Sequence, residues 1–63
     1  MDILDTSEAA AHVRLSKPTL ERFRTSGNGP AFVKLGKSVR YRRSDLDAWL
    51  ASRVVRSTSE VGV

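Results

Sequence analysis

The sequence contains no cysteine, one histidine, two prolines, one tryptophan, one tyrosine and two phenylalanines in 63 residues. The missing thiols exclude a disulfide framework and thiolate metal ligation. A lone His12 cannot supply the ligand set of a protein-built zinc site. No stretch approaches the ~18 consecutive apolar residues of a membrane-spanning helix. The first residues also lack the basic segment and apolar run of a secretory leader. The expected compartment is therefore the cytoplasm. There is no GxxxxGK phosphate loop, no histidine in a plausible nucleophile arrangement with Ser7, Ser16 or Ser44, and no paired catalytic carboxylates. An enzyme, a cofactor and a small-molecule substrate are accordingly not expected. A chain of this length reads as one domain and buries only ~60% of the surface that its unfolded form exposes. With disulfides excluded and no protein-built zinc site expected, stability has to come from tight local packing or from a partner.

Negative charge is nearly missing from the middle of the chain. Residues 14–43 hold nine of the eleven basic residues and only one of the seven acidic ones, Glu21, so this segment carries +8 within a net +4. The remainder, at −4, is acidic around helix starts. A basic segment of this density favours a polyanion, nucleic acid ahead of an anionic membrane. The plainer alternative is a solvated basic face with no specific partner.

The punctuation of the chain predicts three helices and a hairpin. Thr6 is the expected N-cap of the first helix, with Ser7 and Glu8 in its first turn. Ala9, Ala10 and Val13 form a stripe of small apolar residues, and the helix should end near Val13 or Arg14. Leu15 is expected to be buried in the connection. Ser16 caps a second helix with Pro18 in its first turn, Leu20 and Phe23 facing the core, and Gly27 ending it. Residues 31–35 and 39–43 read as strands around Gly36-Lys37-Ser38. The register stays open. A three-residue loop pairs Leu35 with Val39, whereas a two-residue loop sets Phe32 opposite Tyr41. Ser44 is the expected cap of a third helix, with Asp47 at the capping-box position and Leu46, Trp49, Leu50 and Arg53 along one face. Trp49, able to bury ~200 Å², is the expected centre of the core, with Phe23 and Tyr41 beside it. The predicted domain spans residues 1–54, and residues 55–63 read as a disordered tail.

Two short helices joined by a tight turn, then a basic hairpin and a covering helix, form an α+β winged helix-turn-helix. Packing of the first helix on the second leaves one face of the second free, carrying Ser16, Lys17, Thr19, Glu21 and Arg22. The N-terminal part of such a helix reaches base edges in a major groove, while hydroxyls and cations hold phosphates. The hairpin tip, Lys37-Ser38, is placed to reach backbone or minor groove with Arg40 and Arg42 behind it. Glu21 either accepts from a cytosine amino group or pairs with a neighbouring arginine. His12 is expected to be a surface residue.

These residues resemble a known family. Ser7-Glu8-Ala9-Ala10, the span Ser16 to Gly27, Gly29-Pro30, Val33-Lys34-Leu35-Gly36, Tyr41-Arg42-Arg43-Ser44-Asp45-Leu46 and Trp49-Leu50 are similar to the small excisionase-type and AlpA-like winged helix-turn-helix domains, related to the MerR-type DNA-binding domain. The resemblance covers residues 3–53 and points to fold and DNA binding more than to a biological role. It implies double-stranded DNA as partner, with contacts at Ser16, Lys17, Arg22, Lys37 and Arg40. It also implies the cytoplasm of a bacterium or of a phage-infected host as the setting. Excisionases of this kind often bind several direct sites cooperatively and bend DNA, and thereby set a tyrosine integrase towards excision. A small transcriptional regulator uses the same surface. An adaptor with a basic face for an acidic protein is the alternative of a different class. Glu21 departs from the basic residue often found at that position in MerR-type relatives.

Overall fold

A computed structural model describes residues 2–56, with elements β1 (Ile3–Leu4), α1 (Thr6–Val13), α2 (Lys17–Ser26), β2 (Val33–Leu35), β3 (Ser38–Arg42) and α3 (Arg43–Ser52). The arrangement is the expected α+β winged helix-turn-helix, with one strand added. The tail expected at 55–63 lies mostly outside the described residues.

The cap of α1 is Asp5, not Thr6. Its carboxylate accepts from the Glu8 N–H at 2.7 Å, and the Glu8 carboxylate accepts from the Asp5 N–H at 2.9 Å. This reciprocal pair satisfies two otherwise unpaired donors, which a threonine at position 6 could not do with Glu8 at its own spacing. The helix ends at Arg14, whose φ of 60° places a non-glycine residue in the left-handed region. The Leu15 N–H then bonds back to the Ala10 carbonyl at 2.9 Å, closing a Schellman-type end. Leu15 is only half-buried. Ser16 caps α2 as expected, accepting from the Thr19 N–H, and Gly27 ends it.

The hairpin has the two-residue loop. Val33 pairs with Arg40, Lys34 with Val39 and Leu35 with Ser38. Positive φ at Gly36 (64°), with no positive φ at Lys37, is what a type II′ turn needs to match the twist of the strands. Phe32 then falls opposite Tyr41, and the two rings lie 6.1 Å apart. On the other side of β3, Ile3 pairs with Arg42 and Leu4 with Tyr41, so β1 makes the hairpin a three-stranded antiparallel sheet of order β1-β3-β2.

β3 runs into α3 without a loop. Arg42 is the N-cap and makes no side-chain cap bond, so Ser44 lies in the first turn and does not cap the helix. Arg43 begins the helix and is not a strand residue, and its N–H bonds to the Asp2 carbonyl at 2.9 Å.

The core consists of Ala9, Ala10, Leu20, Tyr41 and Leu46, with Leu4, Val13 and Val39 packed around them. Small residues on α1 let α2 and α3 approach closely, as their spacing suggests. Trp49 is not the centre. It is half-buried, edge-on to Phe23 at 5.3 Å between centroids, with its indole N–H donating to the Asn28 carbonyl at 2.9 Å. An indole needs an acceptor when it leaves water, and the turn after α2 supplies one at the rim. Arg53 stacks over the indole and donates to the same carbonyl. Trp49 and Arg53 therefore pin the Gly27–Pro30 turn to α3.

Gly29 lies against Phe23: a Cβ there would come within 2.8 Å of the Phe23 Cβ and 3.2 Å of its carbonyl carbon. Gly29→Ala is expected to cost about 1–3 kcal/mol through this clash, read as a lower urea midpoint with an unchanged m-value. Arg14→Gly should stabilise by about 0.5–1 kcal/mol. It removes the left-handed strain of an L side chain and gives back part through the freer unfolded chain. A melting temperature that falls on Arg14→Gly would contradict this account of the α1 end.

Candidate functional site

α2 presents two different strips, one exposed and one partly buried. Pro18, Arg22 and Thr25 follow one another at i, i+4 and i+7 and are all exposed. One step around the helix, Lys17, Glu21 and Arg24 follow the same spacing and form one wall of a shallow groove. Its other walls are Lys37, Val39 and Arg40 of the hairpin and Asp5, Thr6 and Ser7 at the start of α1. The helix-turn-helix and the wing therefore meet along a single cleft. Four of its side chains are cationic, against Glu21 and Asp5.

Of the residues selected from the sequence, Lys17, Glu21, Lys37 and Arg40 are brought together in this groove. Thr19 and Arg22 border a neighbouring depression with Phe23 and Ser26. Ser16 stands at the α2 N-terminus, its Oγ 2.7 Å from the Thr19 Oγ1, so these two hydroxyls hold each other at the helix start. Ser38 is exposed opposite Leu35 at the tip of the hairpin. Arg40 donates to the neighbouring Val39 carbonyl at 2.9 Å, which folds its guanidinium along the strand.

Arg42 is not part of the groove. It lies on the same strand face as Arg40, opposite Tyr41, as the alternation predicts, but Asp45 holds it through bonds of 2.6 and 3.1 Å. These hydrogen bonds, and next the carboxylate charge, raise the Arg42 pKa above its ordinary value. Arg42 lines a separate depression with Asp2, Ile3, Arg43, Ser44 and Asp47. Asp47 does not serve the α3 cap. It meets His12 Nε2 at 2.8 Å, and through it His12 ties α1 to α3. Glu21 has no ion pair with an arginine among the described residues, so its carboxylate stays available in the groove.

Arg24 was not among the residues singled out. It is half-buried, donates from Nη1 to the Tyr41 hydroxyl at 3.3 Å, and its guanidinium lies 5.9 Å from the Phe32 ring centroid. The spacing Lys17-x3-Glu21-x2-Arg24 carried the signal, because it puts all three on one strip of a helix.

The aromatic groups do not form a stacking platform. Tyr41 is fully buried and Phe23 and Trp49 are half-buried against each other, which leaves Phe32 as the single exposed ring among the described residues, with the Arg24 guanidinium 5.9 Å from its centroid. Among the described residues no His/Cys/Asp/Glu cluster is arranged to hold a metal ion, and no helix is long and apolar enough to cross a membrane.

The family model described as "Helix-turn-helix domain" matches residues 3–54. No curated protein matches the chain. The match spans every helix and strand of the fold and the whole basic groove. The chain belongs to the helix-turn-helix family that includes the excisionase-type and AlpA-like small DNA-binding domains.

Proposed function

We propose that the protein binds double-stranded DNA sequence-specifically, with α2 in the major groove and the β2–β3 hairpin on the adjoining backbone or minor groove. The observation that carries this reading is the groove in which Lys17 and Glu21 of α2 face Lys37 and Arg40 of the hairpin. In this reading Arg22 and Glu21 address base edges. Ser16, Lys17, Thr19, Lys37, Ser38 and Arg40 hold phosphates and sugar edges. Arg42 joins them only at the expense of its bond to Asp45. Within this reading the biological role is that of an excisionase, with a small transcriptional regulator as the alternative. Copies would assemble cooperatively on neighbouring sites in the cytoplasm, bend the DNA and direct a tyrosine integrase towards excision.

The experiment that tests the molecular part is a titration of duplex DNA across salt concentrations. Contact with ~4–6 phosphates gives a log–log slope of about −4 to −5. A flat slope would overturn the DNA reading and favour an acidic protein partner. Lys37→Ala should weaken binding to all duplexes alike and reduce the slope by about 1. Arg22→Ala should weaken the specific site by about 1–3 kcal/mol and relax its sequence preference. An excision assay with the integrase encoded nearest to this chain tests the role. Stimulated excision supports it. Repression of a reporter without any effect on excision would instead identify a transcriptional regulator.

A further inference from the structure

We propose that Arg24 is a DNA-contact residue, a guanidinium held in place by Tyr41 and Phe32 to bind the phosphate that lies between the α2 contacts and the wing contacts. The inference rests on the DNA-binding reading and adds to it a residue that spans the cleft.

Three features of Arg24 point to an anion. First, it lies on the groove strip, one helical turn beyond Glu21 and two beyond Lys17, facing Lys37 and Arg40. Second, its geometry is already set. One Nη1–H is taken by the Tyr41 hydroxyl and one face lies towards Phe32, so the rotamer freedom that a long basic side chain normally loses on binding is lost in folding instead. Third, its charge is unbalanced. No carboxylate lies within ion-pair distance of it among the described residues, although Asp2, Asp45 and Asp47 are all engaged with other cations or with His12. A half-buried guanidinium carries a desolvation cost that an aromatic face and one long hydroxyl bond offset only in part. A planar fork with free N–H donors suits a phosphate oxygen pair better than a lysine would.

The position has a structural consequence. Tyr41 belongs to β3 and Phe32 leads into β2, while Arg24 belongs to α2. A phosphate on Arg24 would therefore be read from helix and wing together, and would fix the angle at which both meet the duplex.

The test compares salt-dependent binding of the full chain with that of Arg24→Gln, Arg24→Lys and Tyr41→Phe, each first melted to show that it is folded at the assay temperature. The parent slope is measured first, and its absence would overturn the DNA reading as a whole. With that slope present, Arg24→Gln should shrink it by about 0.9 and weaken specific and random duplexes alike by about tenfold. Arg24→Lys should keep the slope and recover part of the affinity. Tyr41→Phe should keep the slope, because the charge remains, and lose a few-fold in affinity, because the guanidinium is no longer oriented. An Arg24→Gln variant that melts lower but binds with the parent slope would overturn the proposal and leave Arg24 a strut between helix and wing. A loss confined to the specific duplex would overturn the phosphate assignment.

Discussion

Tyr41 is the residue on which both halves of the molecule depend. It stands in the central strand, pairs with Leu4 on one side and faces Phe32 on the other, and is fully buried among Ala9, Ala10, Leu20 and Leu46. In a chain this small few side chains touch every layer, and this ring does. Its buried hydroxyl accepts from Arg24, which lines the groove. A phenylalanine would fill the core as well but offer α2 no polar hold on the sheet. The buried phenol thus couples core packing to the orientation of the basic cleft, and a small core becomes enough to present a wide charged surface.

The second constraint is how the ends of the elements are tied. Arg14 accepts a left-handed conformation so that α1 and α2 can be joined by only three residues. The Gly27–Pro30 turn is held by Trp49 and Arg53 on the Asn28 carbonyl and admits no side chain at position 29. His12–Asp47 and Arg42–Asp45 are exposed or partly exposed pairs that solvent and salt screen. They matter more by occupying charges than by stabilising. Asp45 holds Arg42, while Lys17, Arg24, Lys37 and Arg40 are left without a carboxylate partner among the described residues.

Much of this was legible in the sequence. Caps with strong local chemistry, such as Ser16 and Gly27, declared themselves, as did the glycine-centred hairpin and the imbalance of charge. The misreadings share one cause, which is that non-local partners decide between locally equal choices. Asp5 and Thr6 can both cap a helix, and the three-residue spacing to Glu8 decides for Asp5. Ile3–Leu4 is too short to show alternation and is a strand only because β3 offers an edge. Ser44 is a good cap displaced by a strand that continues directly into the helix. Trp49 has the largest apolar surface, but its N–H needs an acceptor, which holds it at the rim. The groove itself was legible as two separate basic segments. That Arg24 joins them depends on where the Tyr41 hydroxyl lies, and no spacing rule reports that.

The central claim is that α2 and the hairpin form one continuous DNA-reading surface. Hydroxyl-radical and methylation footprinting on a selected duplex tests it most directly. The account predicts protection of one major-groove face together with the immediately adjoining backbone or minor groove, on one side only, as set by the cleft between Lys17 and Lys37. Protection of a major groove alone, with the neighbouring backbone and minor groove both fully open to cleavage, would contradict it.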